Sequence, residues 1–326
     1  MAEIVGLVLP LFGLILLGYV TARLIQQPAE AMGWLRIFII YLALPALFFK
    51  LLSQTPVEEL ASWGFIFANL AATFCVFVLI FGLALVLRRA TVPDATLQGL
   101  AGAYGNIGYM GPGLAILIFG EKAAVPLALI FCFENTLHFT IAPTMMAISG
   151  KEKKSKGELV LEISRGIAFH PFIIATVFGV GAAVIGFVPP APIERLINYL
   201  AQAAAPSALF AMGVTLALSP LRRVPVELSY IVPGKLILHP LLMYALLSMA
   251  GPFEPVWVYT AVLLAALPTA TNVFVMAQHY GYWVDRASAC ILVTTAISVV
   301  SISGLIYAVT AGLLPADPFT ANLFPL

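Results

Sequence analysis

The sequence predicts an all-α polytopic membrane protein, with ten transmembrane helices arranged as a 5+5 inverted repeat in which spans four and nine are broken. Three observations predict this. Of 326 residues, 62% are hydrophobic and 10% charged, with mean hydropathy +1.04, whereas soluble domains carry about 25% charged residues. About ten apolar stretches approach the roughly 20 residues that cross a hydrocarbon core of about 30 Å. Two of those stretches are interrupted near their centres by Gly, Pro and Asn, at positions separated by about half the chain.

The spans are placed near 4–22, 34–52, 62–87, 97–119, 123–148, 166–188, 196–218, 228–250, 256–278 and 286–314. The first lacks a basic leading region and a small-residue cleavage site, so it reads as a retained span rather than a signal peptide. Cys75, Cys132 and Cys290 lie inside apolar stretches without CxxC spacing and read as buried small hydrophobes, with no disulfide framework, metal site or cofactor implied. A net charge of +1 without a basic patch gives no sign of nucleic acid as a partner.

Lysines and arginines set the orientation. The odd loops hold Arg23, Arg36, Arg88, Arg89, Lys151, Lys153, Lys154, Lys156, Arg165, Arg222, Arg223 and Arg286; the even loops hold Lys50, Lys122 and Arg195. Positive residues stay inside, which places the odd loops in the cytoplasm and both termini on the non-cytoplasmic side of the cell (inner) membrane. The longest polar stretch divides the chain: residues 1–150 form a first five-helix repeat, 151–165 a cytoplasmic linker, and 166–326 a second repeat. An odd number of spans per half makes the repeat inverted. Matching pairs support it: "LPALFF" against "APSALF" (Pro45 to Pro206, 161 residues), and Asn106 against Asn272 (166 residues).

Span four contains "GNIGYMGPG" (105–113) and span nine "LPTATNVF" (267–274). In a helix interior glycine costs about 1 kcal/mol and proline about 3 kcal/mol. In hydrocarbon every backbone polar group needs a partner, so broken helices survive where they are buried in protein or line a cavity. A break also presents the positive end of a half-helix, which attracts anions, and Asn106 and Asn272 add amide donors. Two matched breaks at the midplane form a candidate carboxylate site. The competing reading makes the glycines close-packing residues and each Asn a cap of its own half-helix.

Ionisable residues inside a bilayer are costly and face the protein interior. Glu134 is the one carboxylate within a span, and His138 shares its helix face four residues on; Lys235 and His239 repeat that spacing in span eight, with Lys235 nearer the helix end and able to snorkel. These four are candidates for ion coupling. The residues leave two readings open: a proton relay, or a structural pairing of Glu134 with Lys235 or a histidine.

The segments "GNIGYMGPG" and "ALPTATNVFVMAQHYG" (266–281) resemble the helix-break motifs of the auxin efflux carrier family, particularly its bacterial branch. "LGYVTARL" (17–24), "YLALPALFF" (41–49), "ALFAMGVTLA" (208–217) and "KLILHPLL" (235–242) resemble further segments of that family, in its order along the whole chain. The resemblance implies unwound, crossing spans four and nine, a dimerising scaffold of spans one, two, six and seven, and an elevator-like transport unit made from the rest. It implies a secondary or facilitative carrier of small organic anions, auxin-like or dicarboxylate-like, acting as a homodimer. Matching the motifs, Asn106, Gly108, Gly111 and Pro112 fall on the first crossover and Pro268, Thr269 and Asn272 on the second; Tyr109 and Thr271 lie on the same turns and are candidate substrate contacts. The chain departs from the family in having His170–Pro171 where Asn-Pro is expected, no Asn shortly before Tyr41, and a short central linker.

Other classes fit less well. No G-x-x-x-x-G-K-[ST] loop marks a pump and no H-E-x-x-H a protease, so the chain is not read as an enzyme. The alternatives are a sodium-coupled symporter of the bile-acid carrier type and a carrier-fold sensor. H⁺ is the expected coupling ion, with Na⁺ less favoured.

Overall fold

The structure, a computed structural model, describes residues 2–56, 61–150, 156–218 and 224–316. Proline, which has no N–H to contribute and a φ already suited to the first turn, opens or nearly opens many of its helices. The elements in order are α1 (Ala2–Ile25), α2 (Gly33–Ile37), α3 (Leu44–Ser53), α4 (Trp63–Arg88), α5 (Val92–Ala103), α6 (Gly111–Phe119), α7 (Ala124–Ile148) and α8 (Lys156–Ala168). There follow α9 (Pro171–Ile185), α10 (Ala191–Leu218), α11 (Leu228–Pro233), α12 (His239–Ala250), α13 (Pro255–Ala265), α14 (Thr271–Tyr280) and α15 (Val284–Thr310). Widened π-helical turns, Phe38–Ala43 and Gly234–Leu238, join α2 to α3 and α11 to α12. Among the described residues the one β-type feature is an isolated antiparallel bridge between Gly105 and Thr269.

Among the described residues, six helices are long and apolar enough to cross a membrane: Gly33–Ser53, Trp63–Arg88, Glu121–Ile148, Ala191–Leu218, Leu228–Ala250 and Val284–Thr310. The protein is therefore an all-helical, polytopic membrane protein. The two stretches expected to break do so. The stretch 97–119 is divided between α5 and α6, and the stretch 256–278 between α13 and α14.

The chain forms two compact units, each drawing on both sides of the 151–165 segment. The first comprises Met1–Ser62, Gly108–Cys132 and Gly166–Ser219. Lipid tails are as apolar as leucine, so helices here associate through close packing rather than a hydrophobic drive. Small residues allow it: a Cβ on Gly18 would lie 2.1 Å from the Phe210 carbonyl oxygen, and one on Gly213 only 1.9 Å from that of Ile15. The α1 and α10 backbones thus touch. Phe48, Phe131 and Phe172 fill the space beside α3 and α9, with ring centroids 4.5–5.7 Å apart, a spacing suited to edge and tilted aromatic contacts.

The second unit comprises Trp63–Ile107, Phe133–Arg165 and Pro220–Leu326. Its α4 packs on α5 and α12. Cβ atoms on Gly99, Gly102 and Gly234 would come within 2.7–2.8 Å of Phe77 and Ile80 side chains on α4. At one end, the buried Glu227 carboxylate accepts from Trp283 Nε1 (2.8 Å) and Arg286 Nη1 (3.1 Å), tying the start of α15 to that of α11.

One expectation needs correction. Cys132 and Cys290 are buried, but Cys75 is exposed on the outer face of α4, because a helix packed along one side leaves its other face to lipid. The segment expected to link the two halves carries the start of α8, which runs from Lys156 to Ala168 before His170–Pro171 starts α9. Lys151, Lys153, Lys154, Arg222 and Arg223, used in the orientation argument, lie outside the described residues.

The α1–α10 contact sets a prediction. Gly213→Ala forces two backbones apart and costs about 1–3 kcal/mol, read as a lowered thermal unfolding midpoint in detergent. Gly181→Ala, at a position with nothing within 4 Å of a Cβ, leaves the midpoint unchanged or raises it.

Candidate functional site

The two breaks repair each other. Pro268 has no N–H, so the Leu264 carbonyl loses its normal helical donor, and α13 ends. The Thr269 N–H turns away to Thr294 Oγ1 (3.2 Å). On the other side α5 ends at Ala103, with Tyr104 in extended conformation (φ −81, ψ 101). The two extended pieces then pair: Asn106 N–H donates to Pro268 O (2.8 Å) and Ala270 N–H to Tyr104 O (2.9 Å). Thr269 Oγ1 donates to the Ala101 carbonyl (2.7 Å), occupying one of the orphan acceptors at the end of α5.

Neither asparagine holds the N-cap position of its half-helix. Met110 and Ala270 hold the N-cap positions of α6 and α14, and neither makes a side-chain capping bond. Asn272 instead donates from Nδ2 to the Tyr104 hydroxyl (2.8 Å), and that hydroxyl donates to Asn135 Oδ1. The Tyr104 ring stacks on His138, with centroids 4.0 Å apart and planes 19° from parallel. His138 is fully buried, and neither ring nitrogen has a hydrogen-bond partner among the described residues.

A second line of polar groups starts one turn of α7 away. Thr73 Oγ1 donates to Glu134 Oε1 (3.0 Å) and lies 3.1 Å from His239 Nε2. His239 Nδ1 lies 2.9 Å from Lys235 Nζ, and Nζ donates to the Ala265 carbonyl (2.6 Å). A hydroxyl has a single proton, so Thr73, having given its proton to Glu134, accepts from His239. That assigns the proton of His239 to Nε2 and makes Nδ1 the acceptor from Lys235. Every donor in the line Lys235–His239–Thr73–Glu134 therefore points toward the carboxylate. All four side chains are at most 2% exposed. Lys235 does not snorkel, as its place near a helix end suggested. It turns inward because the π-helical turn Gly234–Leu238 carries it and a helix-end carbonyl receives it.

The chain matches the family described as "Membrane transport protein" over residues 3–306. It is 65% identical over 319 residues to a protein of Rhizobium meliloti (strain 1021) named "Putative malonate transporter", covering 98% of this chain and 100% of that one. It is 27% identical over 304 residues to "Uncharacterized transporter YfdV" of Escherichia coli K12, covering 89% and 92%. An "Uncharacterized transporter" of Methanothermobacter thermautotrophicus is likewise 27% identical, over 307 residues.

The chain belongs to the auxin efflux carrier family. It is a membrane transporter and not an enzyme.

Of the residues singled out in the transporter's sequence, Asn106, Pro268, Thr269, Thr271, Asn272, Glu134, His138, Lys235 and His239 belong to the second unit. Gly108, Tyr109 and Pro112 belong to the first. Pro112 is buried in the first turn of α6, while Gly108 and Tyr109 are half-buried in the turn before it. Sequence reading missed Tyr104, Asn135 and Thr73. Tyr104 directly precedes the "GNIGYMGPG" motif and Asn135 directly follows Glu134, so adjacency was a usable signal for both. Thr73 carried none, since a threonine in an apolar helix ordinarily bonds its own backbone.

Removing these hydroxyls tests the two lines. Thr73→Val takes one partner from each of Glu134 and His239, and Tyr104→Phe takes one from each of Asn272 and Asn135. Each lowers unfolding free energy by about 1–3 kcal/mol, measured by thermal or denaturant unfolding of purified protein. Thr73→Ser restores most of the loss.

Proposed function

We propose that the transporter carries small dicarboxylate anions of about malonate size across the cell membrane, as a secondary or facilitative carrier. The observation that carries this reading is the pair of broken helices held together by their own backbones, with the N-termini of α6 and α14 following the two breaks. Such ends favour negative charge. The relative named for malonate supports the dicarboxylate class.

In this reading ten spans form two inverted five-helix repeats, residues 1–150 and 166–326. The anion binds at the crossover to Asn106, Gly108, Tyr109, Pro112, Pro268, Thr269, Thr271 and Asn272. Asn106 and Asn272 orient it, and Pro112 and Pro268 keep the half-helices apart. The transport unit moves as an elevator against a scaffold that dimerises, with both termini on the non-cytoplasmic side. Protons are the coupling ion, with Glu134 the group that takes them up.

Uptake of labelled mono- and dicarboxylates into proteoliposomes tests the reading. Saturable uptake of a dicarboxylate is expected, with Asn106→Ala/Asn272→Ala lowering it about tenfold or more, the equivalent of one or two lost hydrogen bonds to a charged group. Folded protein that takes up no acid overturns it. Proton symport has a definite sign: acid outside raises uptake by the wild type. Glu134→Gln is expected to lose that stimulation while keeping exchange of anion for anion. An unchanged pH response in Glu134→Gln removes the carboxylate from the coupling step.

A further inference from the structure

The end of α13 is an electrostatic problem that the fold solves with a side chain. A helix C-terminus carries the equivalent of about half a negative charge, spread over its last carbonyls. At α13 the usual donors are absent: residue 268 is proline, and the Thr269 N–H is given to Thr294. Leu264 O keeps a long 3.3 Å bond from Leu267 N–H. The Ala265 carbonyl is met by Lys235 Nζ at 2.6 Å.

The space for that ammonium is built in. A Cβ on Gly105 would lie 3.3 Å from Nζ and 2.9 Å from Leu264 O, so glycine at the first break leaves open the slot into which Lys235 reaches. The same nitrogen is 2.9 Å from His239 Nδ1, and Glu134 acts on it electrostatically at the far end of the His239–Thr73 line. Asn69 is a further hydrogen-bond partner of Glu134, and His138 acts electrostatically on His239. In secondary transporters, half-helix C-termini and unwound carbonyls of this kind are where a coupling cation such as Na⁺ sits.

We propose that Lys235 is a tethered cation, occupying at the α13 terminus the position a bound sodium ion would take, so that transport requires no sodium or other metal cation. Lys235 is a positioning residue in this scheme. It holds the broken backbone in place with its charge and does not touch the anion. The proposal rests on the carrier reading for its transport arm, while its stability arm needs no substrate.

The test compares wild type and Lys235→Ala in sodium chloride, N-methylglucamine chloride and ethylammonium chloride, measuring malonate counterflow in proteoliposomes and the thermal midpoint of purified protein. Wild type is expected to transport equally in all three salts, with an unchanged midpoint. Lys235→Ala is expected to lose about tenfold or more of its uptake in N-methylglucamine, as follows from removing one member of a buried charged network. Ethylammonium or sodium then restores part of the uptake and raises the variant's midpoint. A wild type that needs sodium overturns the assignment, as does Lys235→Ala that matches wild type without cations or stays inactive and insensitive to them. Should Lys235→Ala not be recovered folded, Lys235→Arg decides: sodium-independent transport supports the tethered charge, and loss of transport or a sodium requirement overturns it. Absence of counterflow in wild type, with the midpoint responses as expected, counts against malonate as substrate and leaves the cation assignment standing.

Discussion

The structure depends on one constraint: a backbone amide in hydrocarbon must find a partner inside the protein, since an unpaired one costs several kcal/mol. Two helices of this transporter are broken, and each break frees carbonyls and N–H groups where water is scarce. The cost is met by making the breaks partners. Asn106 pairs with Pro268 and Ala270 with Tyr104 through backbone hydrogen bonds, and Thr269 reaches with its hydroxyl to the carbonyl of Ala101. One break without the other would leave each of these groups stranded.

The polar side chains follow from that pairing. Bringing Tyr104 beside the second break puts its hydroxyl between Asn272 and Asn135 and its ring over His138. Ending α13 at Ala265 creates an acceptor that draws in Lys235. A buried lysine in turn needs compensation, because uncompensated charge in a low-dielectric interior is strongly disfavoured. His239, Thr73 and Glu134 relay that compensation along a line of oriented hydrogen bonds. Networks of this kind are strong when complete and costly when one member is missing, which explains why so many polar residues are buried together in an otherwise apolar chain.

The first unit is held by a different rule. With no water to expel, α1 and α10 adhere because Gly18 and Gly213 let their backbones touch, and three phenylalanines fill the neighbouring space. These contacts are short-ranged and carry no charge. Polar precision in one unit and close, apolar packing in the other are two solutions to helix association in the same solvent.

Much of this was legible in the residue order. Hydropathy alone established a polytopic helical membrane protein, because a segment that must lie in lipid has little freedom in composition. Gly, Pro and Asn located both interruptions, since those residues fail in helix interiors for local, steric reasons. The motif resemblance reached the family that the comparison over residues 3–306 bears out. The i, i+4 spacing of Glu134 with His138 and of Lys235 with His239 put each pair on one helix face. Sequence could not say what each face meets. That Asn272 binds Tyr104 rather than capping its helix, that Thr73 joins Glu134 to His239, and that Lys235 turns inward to Ala265 were decided by tertiary structure. These contacts join residues 30 to 168 positions apart, and local propensity carries no information about partners brought together only when the helices pack.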